Sequence, residues 1–260
     1  MKYIDLEKQN GVLEKKLEED EVFSFRCHAG LECFTQCCRN LNLFLYPYDV
    51  LRLKNRLKIS SEEFLDTYVN IVQREPNSFP DVLLRMAEND ERTCPFLDES
   101  GCIVYPDRPD TCRTFPLEQG ILFEGPSGRA TDVYFFNPPD FCLGQSESQE
   151  WTTESWADDQ EAVSYHKMTA KWSEVKALFQ SDPWGEEGPY GKKGKMAFMA
   201  TYNLDKFRDF VFKSTFLKRY KVKSDVLKKM REDDLALMKF GFGWVKFFVW
   251  GIKYPHLKPR

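Results

Sequence analysis

Histidine is scarce in this chain of 260 residues, with three in all. Zinc sites that mix imidazole with thiolate therefore have little to draw on. Long apolar runs are missing too. The longest, Phe240 to Ile252, is interrupted by Lys246 and falls short of the roughly 20 residues that span a bilayer. The opening Met1-Lys2-Tyr3-Ile4-Asp5-Leu6-Glu7-Lys8 has no apolar stretch with a cleavage site behind it, so a secretory signal is not expected. No G-x-G-x-x-G follows an expected strand, which argues against a Rossmann-type nucleotide site. Gly185-Glu186-Glu187-Gly188-Pro189-Tyr190-Gly191-Lys192-Lys193 lacks the spacing and the Ser or Thr of a phosphate loop, and the Gly/Pro-rich stretch Asp182 to Gly194 around it reads as a flexible linker. These absences point to a cytoplasmic protein, where thiols stay reduced.

What is present is a globular composition with an uneven charge. Hydrophobic residues make up 42% and aromatics 15%, with 22 Phe, enough to build one large core or two small ones. From Lys195 to Arg260 there are 16 Lys+Arg against 6 Asp+Glu; from Met1 to Gly194 there are 21 against 35. The basic residues are spread through apolar periodic segments, so a solvated helix face is expected there and nucleic acid is not the expected partner. Phe240-Gly241-Phe242-Gly243-Trp244-Val245-Lys246-Phe247-Phe248-Val249-Trp250, with Lys239 and Lys253, offers two readings. Residues 240–253 touch a membrane surface or partner, or they pack their aromatics into the core; the glycines favour the core.

The eight cysteines are the main anomaly, and seven of them lie between Cys27 and Cys112. Cys27-x5-Cys33-x3-Cys37-Cys38 forms one group and Cys94-x7-Cys102-x9-Cys112 a second; Cys142 stands alone. Grouped cytosolic thiols more often bind metal or do redox work than form disulfides, and thiolates suit zinc or iron–sulfur clusters. The spacing is neither that of a zinc ribbon nor that of a bacterial ferredoxin. Arg39 and Arg113 directly follow cysteines, and Arg108 lies between Cys102 and Cys112. Cations so placed lower thiol pKa and offset the charge of several thiolates, although Arg108 reads equally well as a turn salt bridge to Asp107 or Asp110. His28 adjoins Cys27 and reads as a neighbour of the site. His166 reads as a surface or core histidine. All-thiolate ligation by Cys27, Cys33, Cys37, Cys38, Cys94, Cys102, Cys112 and Cys142 favours iron–sulfur, such as a [4Fe–4S] cluster, over zinc.

The string Cys94-Pro95-Phe96-Leu97, Gly101-Cys102-Ile103-Val104-Tyr105, Arg108-Pro109 and Cys112-Arg113-Thr114-Phe115-Pro116 resembles the YkgJ-type cysteine-cluster family, a zinc- or iron-chelating domain named for a CxxCxxCC pattern. The pair Cys37-Cys38 resembles its double-cysteine half, with wider spacing ahead of it. The likeness covers roughly Phe23 to Gly144 and implies metal binding by these cysteines. Some members look like flagellin lysine N-methylases. The resemblance alone therefore implies protein modification, a protein substrate and S-adenosylmethionine. Two classes stay open: an enzyme, either a protein-lysine N-methyltransferase-like or a redox enzyme, and a structural zinc module whose basic aromatic C-terminal region binds a partner.

The expected fold is mainly α with a small β-hairpin around an irregular cysteine-rich metal-binding core. Residues 1–22 are expected as an N-terminal helix, 23–145 as the cysteine-cluster domain and 146–260 as a helical, basic region. Pro47 opens one helix, and Ser60 with Glu63 caps another in a capping box. Ile121–Phe123 and Val133–Phe136 flank Gly125-Pro126-Ser127-Gly128 as a hairpin. Helices are also expected over 158–180, 196–220 and 224–239.

Overall fold

A computed structural model describes residues 2–3, 16–18, 20–123 and 130–260. Most of the expected N-terminal helix and the turn of the long hairpin lie outside them. The end of that helix that is described is extended instead: Lys16 bridges to Phe135 and the Leu17 amide donates to the Tyr134 carbonyl (2.8 Å). Helices alternate with several short, largely antiparallel sheets, so the architecture is mixed α/β rather than mainly α with one hairpin. The chain divides into two compact units, each discontinuous in sequence. One comprises residues 1–43 and 86–170, the other 44–85 and 171–260. Among the described residues, no helix is long and apolar enough to cross a membrane.

The first unit carries all eight cysteines. Its largest sheet is the hairpin Leu117–Phe123 and Ala130–Phe136, joined by the strand Lys2–Tyr3. A second ladder pairs Phe23–Ser24 with Glu150–Trp151. Phe23, Phe25, Leu117, Cys142 and Trp156 close into a buried cluster, with Trp151, Phe115 and Phe136 packed against it. The rings of Phe23 and Phe25 both meet Trp156 edge-on, at 6.1 and 5.5 Å, the arrangement that ring quadrupoles favour. Trp156 sits on the helix Thr153–Asp159, whose start is fixed by Thr152 accepting from the Ser155 amide (3.1 Å).

The second unit is built from helices around a three-stranded sheet, Phe44–Leu45, Asp81–Leu84 and Val69–Val72. The helix Pro47–Leu57 starts at its proline as expected, where a missing N–H costs nothing. Ser60 caps Ser61–Tyr68 by accepting from the Glu63 amide (3.1 Å). Asp205 ties that helix to Leu204–Lys213: its carboxylate accepts from the Ser61 amide (2.6 Å) and pairs with the buried Lys54 (3.2 Å). The aromatic segment is the core helix Asp234–Trp250, capped by Asp233, which accepts from the Leu235 amide (2.8 Å). Its glycines serve close approach: a Cβ on Gly241 would lie 2.2 Å from the Ala200 carbonyl oxygen. The segment expected as a flexible linker is packed. Trp184 is buried, stacks on Phe179 (4.9 Å) and donates from its indole to the Asn77 carbonyl (2.6 Å). An indole can anchor a Gly- and Pro-rich stretch that composition alone marks as loose.

Candidate metal centre

The first cysteine group is a run of tight turns. The Leu31 amide donates to His28, Phe34 to Leu31, Gln36 to Cys33 and Cys38 to Thr35, at 2.9–3.1 Å. Such turns fold the chain back on itself every three residues and keep Cys33, Cys37 and Cys38 within one compact loop. His28 is committed to the loop itself. Its Nδ1 accepts from the Gly30 amide (3.2 Å) and its Nε2 faces Glu147 at 3.7 Å.

Backbone pairing joins this group to the second. The Asn40 amide donates to the Arg92 carbonyl (3.0 Å), Arg39 bridges to Thr93, and the Cys94 amide donates to the Cys38 carbonyl (2.8 Å). From Cys94 the chain turns into the miniature hairpin Leu97–Asp98 and Gly101–Cys102, with Asp98 accepting from the Ser100 amide (2.8 Å). Cys112 lies on the short helix Asp110–Thr114. The third strand of chain is added by Cys142: the Arg26 amide donates to the Gly144 carbonyl (3.0 Å), and the Leu143 amide donates to Cys33 Sγ (3.2 Å). Gly144 permits this crossing, since a Cβ there would meet the Arg26 carbonyl oxygen at 2.8 Å and the Phe25 ring at 2.9 Å.

The thiols feel one another. Cys27 interacts electrostatically with Cys33, Cys37 and Cys142, and Cys94 with Cys102 and Cys37. Cys102 and Cys142 also interact with Cys37, which is hydrogen-bonded to Cys38. Cys37 is thus the thiol whose charge bears on cysteines of all three stretches. Cys112 is linked instead through Arg108, which acts on both Cys102 and Cys112. All eight cysteines are free thiols. Among the described residues, no group of three or more His, Cys, Asp or Glu side chains stands close enough to hold a metal ion.

Burial, followed by the neighbouring thiols, pushes Cys27 up to about 11. Burial likewise lifts Cys94 to about 11 and raises Cys102 and Cys142. Cys37 is raised mainly by its hydrogen bond to Cys38 and then by burial, with Arg39 opposing. At neutral pH these groups are thiols, and any cation they ligate must displace their protons. A folded-state pKa above the unfolded value of about 9 means that the native state holds its protons longer. That contribution is complete below about pH 9 and is lost as pH rises through about 11. The chelator-treated, reduced protein is therefore expected to show a lower urea midpoint at about pH 10 than at about pH 8. A midpoint that rises over this interval would contradict the assignment.

The three arginines have different fates. Arg39 donates to the Thr35 carbonyl (2.7 Å) and pairs with Glu91 (3.1 Å), beside Cys37. Arg108 is buried, lies over the Tyr105 ring (3.9 Å) and donates to the Tyr105 carbonyl (2.7 Å) and to Gln160 Oε1 (2.6 Å). Its charge favours the Cys102 thiolate. Arg113 is sealed away at 1% exposure and braces the Cys112 helix, donating to the Gln160 carbonyl (2.5 Å) and the Pro106 carbonyl (2.7 Å). Gln160 and Tyr165, which hold these arginines, carry no motif that sequence reading could find. His166 is a buried histidine beside the same helix, with Tyr134 Oη at 3.3 Å from its Nδ1 and Asp110 at 3.6 Å from its Nε2. Burial lowers its pKa and pushes Asp110 up to about 6.

Residues 26–143 match the family model CxxCxxCC, described as "Putative zinc- or iron-chelating domain". This segment belongs to that family. The match takes in every cysteine of the CxxCxxCC segment from Cys27 to Cys142. It also runs through residues 44–85, which fold with the other unit, and stops short of Gln160 and Tyr165. No solved structure matches this chain.

Proposed function

We propose that the CxxCxxCC segment binds a metal centre through its cysteines, with an iron–sulfur cluster preferred to zinc. The observation that carries this reading is the backbone pairing that joins the cysteine-bearing stretches: the Cys94 amide donates to the Cys38 carbonyl (2.8 Å), and the Leu143 amide, next to Cys142, donates to Cys33 Sγ (3.2 Å). The donor set suits the group by its chemistry: soft sulfur donors are abundant, and the nearby imidazole, His28, is engaged with Gly30 and Glu147. On this reading binding draws the thiols inward and expels their protons. Arg39 and Arg108 offset the negative charge that results, and Cys112 joins from beside Arg108. The preference for iron–sulfur rests on the all-sulfur donor set, with His28 engaged by Gly30 and Glu147. Lysine N-methylation and S-adenosylmethionine are carried by family likeness alone, and the reading stops at metal binding.

Anaerobic purification followed by iron, sulfide and zinc analysis and an absorption spectrum tests it. A brown protein with iron and acid-labile sulfide is expected. Stoichiometric zinc in a colourless protein would retain metal binding and overturn the iron–sulfur preference. A protein that takes up neither iron nor zinc after reconstitution would overturn the reading as a whole.

A further inference from the structure

The rim of the cysteine site is apolar and open to solvent. Phe34 is 38% exposed, Phe141 46%, Leu143 41% and Ile103 44%. Each is adjacent in sequence to a cysteine: Cys33, Cys142 on both sides, and Cys102. Single exposed apolar residues are ordinary, but these belong to loops that meet. The Leu143 amide donates to Cys33 Sγ at 3.2 Å, one residue from Phe34. The Phe34 ring reaches the Gly101 hairpin, where a Cβ would lie 3.9 Å from Cζ. Phe141 and Leu143, Phe34, and the hairpin leading to Ile103 therefore follow one another around the thiols.

The charge of this unit identifies what would cover such a rim. Residues 1–43 and 86–170 contain 11 Lys+Arg against 25 Asp+Glu, a net charge of −14. Two of the few cations near the site are already engaged, Arg39 with Glu91 and Arg108 with Tyr105 and Gln160. Glu32, Asp98, Glu99 and Asp140 are exposed on the same cysteine-bearing loops. A field of this sign draws in cationic partners and repels acidic ones.

We propose that the apolar rim around the cysteines is a docking surface for a cationic polypeptide segment that carries apolar anchor side chains. The partner's apolar residues seat on Phe34, Phe141 and Leu143, and its Lys or Arg side chains meet the acidic loops. Docking is independent of which metal, if any, the thiols hold.

The test uses the full chain, as purified, with metal content measured on every sample. The probes are two fluorescein-labelled amphipathic peptides of equal length, one of alternating Lys and Leu and one of alternating Glu and Leu, together with phosphatidylserine vesicles. The Lys/Leu peptide is expected to bind, more weakly as salt is raised. The combined Phe34→Ser, Phe141→Ser, Leu143→Ser variant is expected to weaken binding about tenfold or more. If that variant loses metal or folds poorly, Glu99→Lys with Asp140→Lys supplies the same reading and is expected to weaken binding severalfold. Equal binding of both peptides, or unchanged affinity in a folded rim variant or in the charge variant, would overturn the proposal. So would vesicle binding that disappears with the rim variant, since it would make the surface a lipid face. Peptide binding by a protein without metal would leave docking intact while removing the metal reading, so the two fail separately.

Discussion

Cys37→Ser is expected to abolish most metal loading and, with it, the metal-dependent part of stability. Cys37 lies between Cys33, whose sulfur accepts from the Leu143 amide, and Cys38, whose carbonyl accepts from the Cys94 amide, so on the metal-binding reading its removal touches a donor at the join of these stretches. Serine preserves its size and replaces a soft donor with a poor one. Metal bound to folded protein stabilises it by about 4 kcal/mol at a thousandfold excess over Kd. Apparent binding energies at structural zinc sites reach about 10 kcal/mol or more. Thermal unfolding of wild type and variant should therefore differ widely when metal is present. The difference should shrink to about 0.5 kcal/mol or less after exhaustive chelation, since a serine in place of a half-buried thiol disturbs little else. A large difference that survives chelation would show that Cys37 is a packing residue.

Arg113→Met should give the opposite pattern, a destabilisation that chelation does not remove. Methionine fills much of the space left by the arginine stem but donates no hydrogen bond. The Pro106 and Gln160 carbonyls would lose their donors, and the Tyr165 ring, 4.4 Å from the guanidinium carbon, would lose its cation. At about 1–3 kcal/mol for each unsatisfied buried acceptor, the cost is about 3 kcal/mol or more. For a chain of this size that lowers Tm by on the order of 6–12 °C. A change in Tm below about 2 °C would mean that Arg113 does not brace the Cys112 helix. Comparing these two variants with and without chelator separates ligation from scaffolding at one site.

The cysteine groups were legible because thiols are rare and their clustering is visible at once. Individual helices were legible where local chemistry fixes their starts, as at Pro47 and Ser60. The two units were not. Residues 44–85 lie between the two cysteine groups in sequence, yet the Lys54–Asp205 and Ser61–Asp205 bonds fasten them to helices some 150 positions away. No local pattern announces a partner at that distance. The packed stretch around Trp184 was misread for a related reason: Gly and Pro report backbone freedom, whereas burial of one indole against Phe79 and Phe179 is a tertiary event. Arg113 carried a hint in its position after Cys112, but its role as a brace depends on Gln160 and Tyr165, which nothing in the sequence ties to it.

The backbone bond from Cys94 to Cys38 pinches off residues 44–85 as an excursion between the two halves of the cysteine site. In chain order the unit that holds the thiols is complete at Ala170, before residues 171–260, which fold with residues 44–85. The excursion leaves the ribosome early, yet the helices that cover it arrive last. Its strands Val69–Val72 and Asp81–Leu84 must wait with their apolar side chains uncovered while the cysteine unit closes. Slowed passage through residues 171–260 would thus prolong that wait and leave the cysteine unit untouched.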